Sequence, residues 1–220
     1  MTYQHSYSDA STMPYTPGKA VCIGRNYAAH AKELNNPIPE EAVFFIKPTT
    51  ALAQLTQPLV LPSSLGPCHY EGEISLLIGE TLSKASHQQA QTAIVGIGVA
   101  LDLTLRELQS QLKQQGHPWE KAKAFDGACP LSPFIPRAQC PDLDELTLRL
   151  SLNGELKQQG KAGDMIWSIP ALVSLMSQYF TLMPGDVILT GTPAGVGVLN
   201  SGDRLALSAF DHPSFTTQVL

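Results

Sequence analysis

Glycine and proline interrupt this sequence so often that long helices are disfavoured. The chain contains 17 glycines and 17 prolines, a composition that favours many short strands joined by turns over a helical bundle. The clearest turn is Asn153-Gly154, which lies between two segments that alternate polar and apolar residues. Such a pair favours a type I′ turn, because both central residues of that turn need a positive φ. We therefore expect a β-rich fold with a hairpin at residues 146–159.

The rest of the sequence divides into short predicted strands and a few helices. Apolar and alternating segments predict strands over residues 20–24, 43–46, 59–61, 69–78, 94–103, 187–190 and 204–210. Helices are predicted over residues 26–34, 104–115 and 169–179, with Asn26 and Ser168 as N-caps. A chain of 220 residues fits one domain. We predict a mixed, β-rich α+β fold, in which a polar N-terminal arm at residues 1–17 precedes a single domain at residues 18–220.

Charge and cysteine content disfavour several classes of function. The formal net charge is −5 and no cluster of lysines and arginines occurs, whereas binding to a phosphate backbone needs a concentrated basic surface. The four cysteines form no CxxC pair, so they do not require an oxidising compartment. The N-terminal residues lack an apolar signal core, and no apolar run is long enough to span a membrane. We expect a cytoplasmic protein that binds neither nucleic acid nor membranes.

A cluster of carboxylates is the strongest candidate site. Glu71 and Glu73 are two residues apart on a predicted strand, so both side chains lie on the same face. Two like charges that close repel each other unless a cation lies between them, and Asp102 at the end of another predicted strand offers a third carboxylate. Oxygen ligands of this kind favour Mg²⁺, Mn²⁺ or Ca²⁺ over zinc. The alternative is an exposed strand that happens to carry two glutamates, with His69 as a solvated surface histidine rather than an extra ligand.

A second candidate group follows Asp102 along the chain. Asp102, Arg106 and Gln109 share one face if a helix begins near Asp102. A guanidinium and an amide beside a metal ligand are suited to holding a substrate carboxylate. Taken alone, a surface ion pair between Asp102 and Arg106 explains the spacing equally well.

Six short motifs follow one another after the N-terminal arm: Gly24-Arg25-Asn26-Tyr27 with His30 and Glu33, Phe45-Ile46-Lys47-Pro48, Tyr70-Glu71-Gly72-Glu73, Asp102-Leu103-Thr104 with Arg106 and Gln109, Ala122-Lys123-Ala124-Phe125-Asp126, and Gly191-Thr192-Pro193-Ala194-Gly195-Val196-Gly197. In this order and spacing, the chain resembles the fumarylacetoacetate hydrolase family, in its short, single-domain, acylpyruvase-like branch. The resemblance implies a β-roll with flanking helices, usually assembled as a homodimer.

The resemblance also implies roles for individual residues. Glu71, Glu73 and Asp102 match the family's Mg²⁺ or Mn²⁺ ligands. His30 and Glu33 match a pair on a mobile segment that orients and activates a water, and we expect residues 30–41 to close over a bound 2-oxo acid. Lys123 matches a lysine that contacts the substrate beside the metal. To substrate binding we assign Arg25, Arg106, Gln109, Gly191 and Thr192.

The implied substrates are small 2-oxo acids. The leading predicted reaction is metal-dependent hydrolysis of a carbon–carbon bond in acylpyruvates. The alternatives are decarboxylation or keto–enol tautomerisation of oxaloacetate, and isomerisation or decarboxylation of a dienedioate, because all of these pass through the same type of enolate. A metal-dependent nuclease is disfavoured by the acidic net charge. A catalytically silent binding module is disfavoured because the residues that match the metal ligands, the His30–Glu33 pair and Lys123 are all present.

Two features of the sequence bear on the substrate. The Gly191–Gly197 segment lacks the spacing of a nucleotide-binding loop, so we expect its amides and the Thr192 hydroxyl to approach a small anion. Lys161-Ala162 stands where relatives often have Asn-Thr. If the threonine hydroxyl of those relatives helps to order the neighbouring loop, its absence here affects substrate preference more than the reaction chemistry.

Overall fold

The computed structural model describes residues 3–34 and 37–220. Its strands are β1 (Ala20–Gly24), β2 (Val43–Lys47), β3 (Leu52–Gln54), β4 (Cys68–Tyr70), β5 (Gly72–Ile78), β6 (Ile94–Leu101), β7 (Thr104–Leu105), β8 (Cys129–Leu131), β9 (Ile135–Pro136), β10 (Thr147–Leu152), β11 (Glu155–Lys161), β12 (Val187–Leu189), β13 (Gly197–Val198), β14 (Arg204–Ala209) and β15 (Phe215–Gln218). Its α-helices are α1 (Ala28–Glu33), α2 (His87–Thr92), α3 (Arg106–Gln114), α4 (Glu120–Lys123) and α5 (Ile169–Tyr179).

A mixed sheet forms the centre of the molecule. Its strands follow the order β2-β1-β12-β5-β6-β8-β3, with β9 paired to β6. Strand β12, from the C-terminal part of the chain, lies between β1 and β5; it runs parallel to β1 and antiparallel to β5. Every residue of β5 is buried, so this strand is covered on both faces and is not the half-buried strand that its alternation predicts.

Two smaller sheets complete the fold. One has the order β11-β10-β14-β15 and the other the order β13-β4-β7. The predicted hairpin is present: Leu152 pairs with Glu155, and Asn153 and Gly154 have φ angles of 53° and 83°, as a type I′ turn requires. The β-rich α+β fold predicted from the sequence is confirmed, with a curled sheet and few helices.

Two predicted strands are wrong. Residues 59–61 form no strand, and Leu59 makes only an isolated bridge with Val219. Residues 69–78 form two strands, because the chain leaves the sheet of β4 at Glu71 and enters the central sheet at Gly72. The alternation of polar and apolar residues runs across this junction, so periodicity gives no sign of it.

The starts of two predicted helices also differ. Asn26 does not cap α1: its amide donates to the carbonyl oxygens of Trp167 and Thr190, and the cap residue is Tyr27. The helix predicted from residue 104 begins at Arg106, because residues 104–105 pair with β4. Ser168 is the cap residue of α5, as predicted, but its side chain makes no capping hydrogen bond.

The N-terminal arm packs onto the domain. Tyr3, His5 and Met13 are buried, and Tyr7 forms a bridge with Phe134. His5 Nε2 lies 3.0 Å from the carbonyl oxygen of Gly185 and its Nδ1 lies 3.1 Å from the Tyr3 hydroxyl. None of the helices in the described ranges is long and apolar enough to cross a bilayer.

Candidate active site

Three carboxylates meet at one end of the β5–β6 pair. Glu71 lies at the junction of β4 and β5, Glu73 is the second residue of β5, and Asp102 directly follows β6. The Asp102 amide donates to the Glu71 carbonyl over 2.8 Å, which continues the ladder past the last paired residues. One oxygen from each carboxylate lies within 4.8 Å of the others. The structure therefore brings together the three residues predicted as metal ligands, all of them buried.

Burial destabilises the charged form of these carboxylates. The pKa of Glu73 lies well above its ordinary value because the carboxyl is desolvated and Asp102 is close by. Its only hydrogen bond among the described residues comes from the Gly191 amide, at 2.6 Å. A cation beside Glu73 would offset both effects.

Two lysines stabilise the other carboxylates. Lys123 Nζ lies 2.8 Å from Glu71 Oε2 and 2.5 Å from Asp102 Oδ2. Lys47 Nζ lies 2.8 Å from Asp102 Oδ1. Burial alone would raise the pKa of Asp102, but these two ammonium groups lower it below its ordinary value.

Lys47 also belongs to the site, although no sequence pattern assigned it there. Its side chain is fully buried and also donates to the backbone carbonyl of Ala128 over 3.0 Å and to that of Lys123. The available signal was a lysine inside the apolar run Phe45-Ile46-Lys47-Pro48, because a lysine is almost never fully buried unless it is paired.

The donor set fits a divalent cation. Three buried carboxylates form the all-oxygen environment that Mg²⁺ and Mn²⁺ prefer, and among the described residues Glu73 forms no ion pair. Lys123 pairs with Glu71 and Asp102, and Arg106 pairs with Glu71. His69 is not a member of this group; it is half-buried, and its Nδ1 has no hydrogen-bond partner in the described part of the chain.

Arg106 and Gln109 line the cavity from the first turn of α3. Arg106 Nη1 donates to Gln109 Oε1 over 2.9 Å, and Arg106 Nη2 contacts Glu71 Oε1. The prediction that one helix face also carries Asp102 is wrong, because β7 separates Asp102 from the helix. The guanidinium pairs with Glu71 rather than with Asp102, so the surface ion pair considered as an alternative is absent from this part of the structure.

His30 and Glu33 form a pair on α1. His30 Nδ1 lies 3.2 Å from Glu33 Oε2, and because a carboxylate only accepts hydrogen bonds, Nδ1 carries the proton and Nε2 keeps its lone pair. Burial lowers the pKa of His30, and the positive charges of Arg106 and Lys123 lower it further against the opposing effect of Glu33. Neutral His30 is therefore available as a base at neutral pH.

Most of these groups line one cavity. Of the residues predicted for the site, nine line it: Arg25, His30, Glu71, Glu73, Asp102, Arg106, Gln109, Lys123 and Thr192. The other two touch members of that set, since Glu33 pairs with His30 and the Gly191 amide donates to Glu73. Lys113 and Trp119 also line the cavity, and neither was predicted from the sequence as a site residue.

Arg25 reaches the cavity from an unusual backbone conformation. Its φ is 65°, in the left-handed region that residues other than glycine rarely adopt. The residue lies in the connection between β1 and α1. Such strain is typical of functional positions.

The Gly191–Gly197 loop is held against the carboxylates by Gln158, a second missed residue. Gln158 is 1% exposed. Its Nε2 donates to Thr192 Oγ1 and to the Pro193 carbonyl, each over 2.8 Å, and its Oε1 accepts from the Gly72 amide over 2.8 Å. Thr192 Oγ1 in turn donates to the Gly72 carbonyl over 2.8 Å, so Gly72, which lies between Glu71 and Glu73, is hydrogen-bonded through both its amide and its carbonyl.

The departure noted in the sequence begins at Lys161, the last residue of the strand that carries Gln158, and Ala162 directly follows that strand. Lys161 is paired with the exposed Glu145. A Cβ at Gly160 would lie 3.0 Å from Pro193 Cβ, so this part of the strand is in close contact with the loop. The effect of Lys161-Ala162 on substrate preference stays a prediction.

Comparisons with known proteins identify relatives of this chain. Residues 19–220 match the family described as the C-terminal part of fumarylacetoacetate hydrolase. Oxaloacetate tautomerase YcgM of Escherichia coli (strain K12) is 53% identical over 219 residues, 99% of this chain and 100% of that protein. A mitochondrial oxaloacetate tautomerase of Homo sapiens is 39% identical over 199 residues, 90% of each chain. The solved fumarylpyruvate hydrolase of Pseudomonas aeruginosa, in complex with Mn²⁺ and pyruvate, has a TM-score of 0.93 at 34% identity, covering 100% of this chain and 96% of that one.

Proposed function

We propose that this chain, which belongs to the fumarylacetoacetate hydrolase family, interconverts the keto and enol forms of oxaloacetate at a divalent-metal site. The proposal rests mainly on one observation: His30, whose pKa is lowered, faces the same cavity as the carboxylates and Lys123, and within the described ranges no hydrogen bond occupies its Nε2. The relative that is 53% identical over its full length carries the name of this activity.

Tautomerisation of a 2-oxo acid moves one proton between carbon and oxygen. His30 Nε2 takes the proton from the carbon next to the keto group, and Glu33 stabilises the imidazolium that forms. Negative charge then develops on the keto oxygen, where the Lys123 ammonium stabilises it from a fixed position. Return of the proton to that oxygen completes the reaction.

Glu71, Glu73 and Asp102 would hold the cation, Mg²⁺ or Mn²⁺. When bound, a divalent cation supplies Lewis acidity toward the oxygens of a 2-oxo acid. Lys47 keeps Asp102 ionised for this role, because it lowers the pKa of that carboxyl together with Lys123.

Hydrolysis of acylpyruvates is the second candidate. It is favoured by the His30–Glu33 pair, which is equally able to activate a water, and by the similarity to a fumarylpyruvate hydrolase. The expected homodimer and the expected cytoplasmic location stay predictions.

The tautomerase proposal is tested with His30→Gln. We expect the rate of enol-to-ketone conversion, followed by the ultraviolet absorbance of the enol, to fall by about 10²–10⁴-fold, the usual contribution of a general base. Excess chelator should abolish the wild-type rate, and added Mg²⁺ should restore it. Because the pKa of His30 lies below its ordinary 6.5, the wild-type rate should hold at neutral pH and decline only below pH 6.5.

Lys32→Gln is the matched control, since Lys32 is exposed on the same helix. It should leave the rate unchanged. An undiminished rate in His30→Gln would contradict the assignment of the base. A wild-type enzyme that leaves oxaloacetate untouched but cleaves acetylpyruvate would show that hydrolysis is the reaction.

A further inference from the structure

Positive side chains outnumber negative ones on the cavity wall. Four cationic residues line it, against three carboxylates. Two of the cations, Arg106 and Lys123, already pair with the carboxylates. A divalent cation at the carboxylates would increase the positive excess, so the cavity is built for an anion that carries more than one charge.

Lys113 is the cation with no assigned role. It belongs to the last turn of α3, seven residues after Arg106 and four after Gln109, so all three lie on one face of the helix. Its Nζ lies 4.8 Å from the centroid of the Trp119 ring, which also lines the cavity. Within the described ranges, Lys113 forms no ion pair.

The surroundings of Lys113 disfavour its charge. Burial lowers the pKa of its ammonium to about 8, and the positive charges of Arg25, Arg106 and Lys123 contribute in the same direction. A carboxylate placed among these groups would relieve the repulsion and be held by an ammonium already positioned over an aromatic ring.

We propose that Lys113, held in place by Trp119, binds the second carboxylate of a dicarboxylic 2-oxo acid and so selects such acids over monocarboxylic ones. This inference rests on the proposed function, in which the other end of the molecule lies at the carboxylate cluster and Lys123. Arg25 lines the same wall and adds to its positive charge. Oxaloacetate and pyruvate are the natural pair of probes, because they differ only in the distal carboxylate.

The test is the equilibrium affinity of the full-length protein for each probe in the presence of Mg²⁺, measured by calorimetry. Lys113→Gln should weaken oxaloacetate binding by about 10-fold to 100-fold, the range for a lost charge-assisted hydrogen bond, and leave pyruvate binding unchanged. Lys113→Arg keeps the charge and should retain most of the preference for oxaloacetate. If Lys113→Gln is unstable, Lys113→Met keeps the apolar stem on Trp119 and should show the same selective loss.

Lys121→Gln is the control, because it removes the same charge from an exposed position on the adjacent helix α4. It should change neither affinity. Equal loss of both probes in Lys113→Gln, or an unchanged ratio of their affinities, would overturn the proposal.

The outcomes separate this inference from the proposed function. If the wild-type protein prefers oxaloacetate through Lys113 but does not tautomerise it, the carboxylate subsite is supported and the proposed activity is refuted. If the wild-type protein tautomerises oxaloacetate, and Lys113→Gln leaves the ratio of the oxaloacetate and pyruvate affinities unchanged, the activity is supported and the subsite is refuted.

Discussion

At the scale of single residues, a closed ring of hydrogen bonds supports the carboxylates. Gly72 donates to Gln158, Gln158 donates to Thr192, and Thr192 donates back to the carbonyl of Gly72. The ring fixes the backbone of Gly72, between Glu71 and Glu73, and joins it to the loop that carries Thr192. A Cβ at Gly72 would lie 2.9 Å from Leu150 and 3.1 Å from Gln158 Oε1, so only glycine fits here without a shift of its neighbours. We infer that Gln158 positions Glu71 and Glu73, the proposed metal ligands, without being a ligand itself.

Gln158→Met tests this role because it keeps the volume of the side chain and removes its hydrogen bonds. The Gly72 amide would lose its partner, which costs about 1–3 kcal/mol for a buried group left unpaired, and the Pro193 carbonyl would keep only the longer contact with Thr192. We expect a lower melting temperature and also a weaker affinity for Mg²⁺, measured by calorimetry. A purely structural glutamine would lower the melting temperature without changing the affinity of the folded protein for Mg²⁺.

Gln159→Met supplies the matched control on the same strand, because Gln159 is exposed. It should leave the melting temperature and the Mg²⁺ affinity near their wild-type values. Wild-type Mg²⁺ affinity in Gln158→Met would refute the positioning role.

At the scale of elements, the sequence predicts contacts between residues that are close along the chain and misses contacts between residues that are far apart along it. The hairpin at Asn153-Gly154 and the clustering of Glu71 with Glu73 depend on spacings of one or two residues, so both can be inferred from the chain. Asp102 could be added because it ends an apolar strand. Gln158 could not, because its partners Gly72 and Thr192 are 86 and 34 residues away.

Lys113 and the break at Glu71 were missed for other reasons. Lys113 lies in a polar segment and resembles any solvated lysine until Trp119 is placed beside it. The break at Glu71 interrupts an alternating segment without a proline, so the junction of two sheets is not visible in the pattern.

Helix α1 and the Gly191–Gly197 loop are joined through one side chain. Glu33 Oε1 accepts a hydrogen bond from the Gly195 amide over 2.9 Å while Oε2 contacts His30. The helix that carries His30 is thus attached to the loop that carries Thr192. Asn35 and Asn36, in the segment expected to close over a bound 2-oxo acid, lie outside the described residues.

Hydrogen exchange tests the coupling between these two elements. We expect oxalate together with Mg²⁺ to slow exchange in both α1 and the loop, because closing α1 orders both. In Glu33→Ala the Gly195 amide loses its partner, so its exchange should become faster and the protection of the loop by oxalate should weaken. Unchanged exchange at saturating oxalate would argue against closure, and normal loop protection in Glu33→Ala would argue against the coupling.

At the scale of the whole molecule, the N-terminal arm is attached to the domain through a neutral histidine. The Gly185 carbonyl only accepts, so His5 Nε2 carries the proton and Nδ1 accepts from the Tyr3 hydroxyl. Burial lowers the pKa of His5 below 6.5, against smaller opposing effects of Gly185 and Asp186. The folded protein therefore favours the uncharged ring.

This arrangement predicts that acid weakens the arm. Below pH 6.5 the unfolded chain binds a proton at His5 before the folded chain does, so the contribution of His5 to stability is present above pH 6.5 and is lost as the pH falls toward the folded pKa. His5→Gln should be less stable than wild type at pH 8, and the difference should shrink at pH 5. Urea unfolding at each pH measures it.

The exposed His117 is the control for this measurement. His117→Gln should differ little from wild type at either pH. A gap between His5→Gln and wild type that stays constant with pH would mean that His5 contributes by packing alone.

The place of β12 in the central sheet has a consequence for biosynthesis. The ribosome makes β1 and β5 well before β12, yet β12 is the strand that lies between them. Until residues 187–189 emerge, those two strands cannot complete their pairing, and unpaired strand edges are templates for association with other chains. We therefore expect a nascent copy of this protein to be most prone to aggregation before residues 187–189 emerge, and shielding by chaperones to matter most during that interval.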